Sequence, residues 1–144
     1  MALAEELPVY KASYDLVLAI FNAAKNFKKE FKYTMGESLK NEAVAAVTNV
    51  YRANCTTEKA EYIKAARENI EVIRLYVRLL RDLHQISVQQ LVHLNTRIEN
   101  VSKQLTGWHK SQLSRIGSML EEDARTPSMI RCSCGIRRLA TRGP

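Results

Sequence analysis

Apolar and polar positions along this chain follow the 3-and-4 spacing of helices in four successive blocks. The first block starts near Pro8, a residue favoured in a first helical turn. It carries Tyr10, Tyr14, Val17, Leu18, Phe21, Ala24 and Phe27 on one face. It ends in Lys25, Lys28, Lys29 and Lys32, cations suited to the negative end of a helix dipole or to a polyanion surface. The second block opens with Thr34-Met35-Gly36-Glu37, a capping-box pattern. Leu39, Ala43, Ala46, Val47 and Val50 follow at helical spacing, and the alanines allow a neighbouring helix to come close. Asn54-Cys55-Thr56-Thr57 reads as a turn, with Thr57 the predicted N-cap of a third helix.

The third helix is apolar over a wide arc. Ile70, Val72, Ile73, Leu75, Tyr76, Val77, Leu79, Leu80 and Leu83 cover more than half of its circumference, against a stripe of about 100° on an ordinary surface helix. Such an arc needs cover on two sides, because a soluble monomer rarely exposes a large apolar patch. One side is met by the chain's own core. The other predicts self-association or a dedicated protein partner.

A second capping box, Ser87-Val88-Gln89-Gln90, opens the fourth helix, with Ile86 and Leu91 placed as its hydrophobic staple. Leu91, Leu94, Ile98, Val101, Leu105 and Trp108 then form a narrow bundle seam. The next seam positions are Gln112 and Arg115, while Leu113, Ile116 and Leu120 resume one residue out of phase. This predicts a break, then a separate short helix or a mobile tail. The connections are short, so neighbouring helices should be antiparallel. The expected architecture is all-α: an up-down-up-down four-helix bundle over residues 1–110. A C-terminal extension over 111–144 should be a short helix, then an irregular basic tail from Thr126 onward.

Charge sharpens this picture. The chain has 144 residues with 22 Lys plus Arg against 15 Asp plus Glu, a net charge of +7. A basic balance favours polyanion contact. Four arginines of the third helix, Arg67, Arg74, Arg78 and Arg81, fall within about 60° of one another at about 100° per residue. Lys64 borders the same strip, and Glu71 and Asp82 dilute it. A row of guanidinium groups suits phosphate or carboxylate partners through its planar bidentate forks. The competing reading is a solvated helix face with local pairing.

Sites for chemistry are sparse. His84, His93 and His109 are scattered, with no paired or HExxH arrangement. Cys132-x-Cys134 has no second cysteine pair to complete a zinc site, and Gly36 and Gly107 stand outside any phosphate-binding loop. Asp82-Leu83-His84 reads as a helix end. No catalytic residue, metal or cofactor is expected, and the chain reads as a non-enzyme. Three cysteines, no secretory pattern after Met1 and no apolar run of bilayer length point to a reduced cytoplasmic protein without a membrane partner.

Several segments together resemble the accessory variability proteins of diversity-generating retroelements. These belong to a wider group of small four-helix proteins that includes those encoded in ribosomal RNA intervening sequences. The resembling segments are Tyr14-Asp15-Leu16, Phe31-Lys32-Tyr33-Thr34-Met35-Gly36, Arg74-Leu75-Tyr76-Val77-Arg78-Leu79-Leu80 and Gly107-Trp108. The resemblance spans residues 9 to 110 and implies a ring-like homopentamer with a positive surface. It further implies association with the element's reverse transcriptase and with template RNA and DNA, without catalysis by the protein itself. Arg74 and Arg78 match basic positions of the family's third-helix motif, which makes them the carried-over contact candidates. The tail after Gln112 departs from the family pattern. The competing function is a scaffold of the ribosomal intervening-sequence type, acting through protein contacts alone.

Overall fold

Four long helices and one single turn build the described part of the chain. The computed structural model describes residues 6–125, with side chains described through residue 120. The helices are α1 (Pro8–Ala24), α2 (Lys29–Lys32), α3 (Met35–Cys55), α4 (Lys59–Asp82) and α5 (Val88–Arg125), and no strand occurs among the described residues. The chain divides into two compact units, Met1–His109 and Lys110–Pro144.

Side-chain pairs and a short turn indicate the directions of the helices in the first unit. The Tyr10 ring of α1 lies 6.4 Å from that of Tyr51 of α3, while Phe21 lies under Lys40, so the two helices run in opposite senses. The short turn between α3 and α4 reverses the chain, and Asn69 of α4 bonds both Asn49 and Glu42 of α3. Arg67 meets His109 and Arg74 meets Glu99, so α4 and α5 are antiparallel too. These contacts are compatible with an up-down-up-down path.

The core is aliphatic. Leu16 and Ile20 of α1, Leu39 and Val50 of α3, Ile63, Ile70, Ile73, Val77 and Leu80 of α4, and Ile98, Val101 and Leu105 of α5 are buried in one cluster. The predicted α5 seam is present, with Leu91 and Trp108 packed at its margins. On α3, Ala43, Ala46 and Ala53 are buried and bring neighbouring backbones close.

The apolar face read on α1 is split: Ala24 and Phe27 are buried, and Tyr10 and Val17 pack against the core. Tyr14, Leu18 and Phe21 are exposed, while Val9, Ser13, Leu16, Ile20, Ala23, Ala24 and Phe27 are buried. The helix carries two apolar stripes. The aliphatic one fits the tightly packed interior, whereas the aromatic one borders α3, where tyrosine hydroxyls stay in contact with water. Ser13 disguises the true core stripe, and its hydroxyl is satisfied by donating to the Val9 carbonyl at 2.7 Å.

Helix ends follow the sequence unevenly. α1 stops at Ala24, so of the four lysines only Lys25 lies at its C-terminus, and Lys29 and Lys32 belong to the separate turn α2. The Thr34–Glu37 capping box does not form. Thr34 instead donates its hydroxyl to the Glu30 carbonyl of α2, which ends two residues before it, at 2.8 Å, and Glu37 pairs with Lys40. Thr57 is not the cap of α4. Glu58 is the N-cap residue and donates its backbone N–H to Thr56 Oγ1, while Lys59 Nζ donates to the Ala53 and Thr56 carbonyls and so closes the end of α3.

The α4–α5 turn is tightly determined. Gln85 N donates to the Leu80 carbonyl and His84 N to the Arg81 carbonyl, the two bonds of a Schellman motif. His84 occupies the left-handed position with φ 60°, so Asp82-Leu83-His84 is a helix end. The Ser87–Gln90 box then forms reciprocally: Gln90 N donates to Ser87 Oγ at 3.2 Å and Ser87 N to Gln90 Oε1 at 2.9 Å.

Among the described residues the break predicted after Trp108 does not occur and no separate short helix follows it, since α5 continues from Val88 to Arg125. The shift in apolar phase changes which face is apolar without interrupting the backbone, and isolated glycines at 107 and 117 do not end a helix of good formers. In the second unit Leu113, Ile116, Met119 and Leu120 are exposed. The tail expected to be irregular, with Cys132 and Cys134, lies outside the described residues.

Candidate functional site

The buried stripe of α4 turns Arg67, Arg74, Arg78 and Arg81 toward α5, so the predicted row exists in space at the α4–α5 boundary. Its members have different surroundings. Arg67 Nη1 lies 3.2 Å from His109 Nδ1. Arg74 Nη2 lies 2.7 Å from Glu99 Oε1 of α5, and its Nη1 donates to Glu71 Oε2 at 3.4 Å. Arg81 Nη1 donates to the Ile86 carbonyl at 3.5 Å. Arg78 is exposed and makes no hydrogen bond or ion pair among the described residues.

Arg74, Arg78 and Arg81 line a groove of about 570 Å³ together with Asp82, Leu91, Asn95 and Glu99. Three guanidinium groups there face two carboxylates, and Glu71 adds a third carboxylate at the rim. The groove itself is therefore close to charge balance. It offers directional donors, acceptors and an apolar floor in one place, which suits a folded protein surface with its own mixed charges. The sequence placed the arginines. It placed Leu91 only in the staple and seam of the fourth helix, and it brought neither Asn95 nor Glu99 to the row.

The predicted lysines have no such neutralisation. Lys25, Lys28, Lys29 and Lys32 make no side-chain ion pair among the described residues, and the one acid within the segment is Glu30. Lys64 is likewise exposed and without a side-chain partner among those residues.

Apolar surface remains uncovered. On α4, Leu75 is 56% exposed, and Leu79 and Leu83 are also exposed one and two turns on, the second side of the wide arc read from the sequence. A second patch spans α1 and α3 through Tyr14, Leu18, Phe21, Val44 and Tyr51.

Among the described residues, no group of three or more His, Cys, Asp or Glu side chains is placed to hold a metal ion. Cys55 is a free, exposed thiol. No helix of the described residues is long and apolar enough to cross a membrane.

No curated protein matches the chain. A profile of the family described as bAvd-like matches residues 8–112, which takes in α1 to α4 and the seam of α5. With the match covering most of the chain and the helical bundle in place, the protein belongs to the bAvd-like family.

Proposed function

We propose that this protein is a non-catalytic accessory subunit of a diversity-generating retroelement. It assembles as a homo-oligomer, a pentamer by analogy with its family, and acts in the cytoplasm. It binds the element's reverse transcriptase and, largely without sequence preference, nucleic acid, and so supports mutagenic cDNA synthesis. The family match over residues 8–112 is the observation that carries this reading. Two further features support it. Arg78 projects without a partner from a groove that mixes cationic, anionic and apolar groups, a surface suited to the reverse transcriptase. The exposed leucines of α4 supply a face for a further subunit.

The scaffold reading draws support from one observation: Glu71 and Glu99 already hold Arg74. Reconstitution separates the two readings. Co-expression with the element's reverse transcriptase should give a co-purifying complex, and adding the protein should stimulate template-primed cDNA synthesis. A reverse transcriptase that neither co-purifies with the protein nor responds to it would overturn the accessory reading in favour of the scaffold.

A further inference from the structure

We infer that the corner formed by Lys25, Lys28, Lys29, Lys32 and Tyr33 is a binding site for single-stranded nucleic acid, separate from the arginine groove. The inference rests on the nucleic-acid part of the proposed function and assigns it a place and a ligand class.

The local chemistry is that of a strand-binding surface. Lys25 caps α1, and Lys29 and Lys32 stand three residues apart on the turn α2. Tyr33 follows Lys29 by four residues, so Lys29, Lys32 and Tyr33 share one side of that turn. Tyr33 is 65% exposed, more than any other tyrosine among the described residues. An exposed ring offers a face on which any base can stack, and neighbouring ammonium groups can follow the phosphates. Residues 25–33 hold four lysines and one acid, Glu30, and none of these lysines makes an ion pair among the described residues, whereas the arginine groove holds nearly as many carboxylates as guanidinium groups. Long-range attraction for a polyanion therefore concentrates at the lysine corner.

The corner is also held in place, so its cations need little ordering on binding. Phe27 is buried beneath it. Lys28 donates its backbone N–H to Gln85 Oε1 at 3.0 Å, which ties the corner to the α4–α5 turn and leaves the ammonium group free. Thr34 bonds the Glu30 carbonyl, and Gly36 packs so closely that a Cβ there would lie 3.2 Å from the Phe31 carbonyl oxygen. A duplex hides its base faces, so the ring adds affinity for an unpaired strand alone.

The test uses the full chain and fluorescence anisotropy with an oligo(dT) strand and a duplex of equal length. Tyr33→Ala should weaken oligo(dT) binding about tenfold, leave duplex binding unchanged and be rescued by Tyr33→Phe. Changing the four lysines to Gln should weaken both ligands and flatten the salt dependence, with helicity unchanged. Normal oligo(dT) affinity in the Tyr33→Ala protein, or an unaltered salt slope in the lysine variant, would overturn the assignment. Loss of oligo(dT) binding in Arg78→Glu with normal binding in the lysine variant would move the strand to the arginine groove. A lysine variant that loses the reverse transcriptase but keeps oligo(dT) would make the corner a protein contact. Wild-type protein that binds neither ligand at low salt would overturn the nucleic-acid reading itself.

Discussion

Arg74 of α4 lies 2.7 Å from Glu99 of α5, and Glu71, one turn back on α4, approaches the same guanidinium at 3.4 Å. Carboxylates from two helices thus hold one member of the arginine row, while Arg78, one turn on, has no partner among the described residues. The row divides into a positioned cation and a free one. The Arg74 side chain is 39% exposed and that of Glu99 54%, so water screens their attraction.

A double-mutant cycle on Arg74→Ala and Glu99→Ala should therefore give a coupling energy of about 0–1 kcal/mol by urea unfolding. A coupling well above that range would mean that the pair is a main structural tie between α4 and α5.

Arg78→Glu is the clean probe of the groove. The side chain is exposed and unpartnered, so stability should change by about 0.5 kcal/mol or less. Capture of the reverse transcriptase should be lost. Reversing Arg74 as well brings a new carboxylate against Glu71 and Glu99, so a double reversal mixes lost binding with like-charge repulsion. Unaltered capture by the Arg78→Glu protein would show that this face is merely solvated.

How far the fold could be read from sequence depended on how many apolar stripes each helix carries. α5 has a single narrow seam up to Trp108, and Leu94, Ile98, Val101 and Leu105 are buried as read. α1 has two, and periodicity alone favoured the aromatic one, though Leu16 and Ile20 form the core. Capping followed the same logic. Ser87 and Gln90 had no competitor and formed their box, whereas Thr34 had the Glu30 carbonyl of the preceding turn within reach. The arginine row was legible from helical phase. Its neutralisation was not, because Glu99 comes from another helix and sequence spacing cannot pair them.

His84→Gly should stabilise the protein by about 1 kcal/mol. His84 holds φ 60° at the Schellman position ending α4, a conformation costly for a residue with a Cβ and free for glycine. The gain is limited because glycine also has more freedom to lose on folding. Thermal unfolding of the two proteins gives the sign. A loss of stability would show that the imidazole makes a compensating contact.

Two glycines in helices should respond oppositely to alanine. At Gly107 an added Cβ meets nothing within 4 Å, so Gly107→Ala should stabilise α5 by about 0.5–1 kcal/mol through helix propensity. At Gly36 the same Cβ would lie 3.2 Å from the Phe31 carbonyl oxygen and 3.3 Å from Phe27 Cδ2. The first is backbone and the second belongs to a buried ring, so neither yields easily. Gly36→Ala should destabilise by about 1 kcal/mol or more despite its better propensity. Equal stabilisation at both sites would show that the lysine corner is not tightly seated on α3.

The remaining prediction concerns assembly. Leu75, Leu79 and Leu83 stand four residues apart on α4 and form an exposed ridge one side chain wide. Burying a leucine contributes about 1.5–3 kcal/mol, so a subunit docked on this ridge would lose several kcal/mol if two leucines became serine. Neither leucine contributes to the buried cluster, so the bundle itself should keep its stability. Sedimentation at micromolar concentration should show an oligomer for the wild type and a smaller species for Leu75→Ser with Leu79→Ser, with equal helicity. A monomeric wild type would remove the oligomer from the proposed function and leave the ridge to the reverse transcriptase. An oligomer that survives both substitutions would place the subunit contact elsewhere, with the α1–α3 patch around Tyr14, Leu18 and Tyr51 the next surface to change.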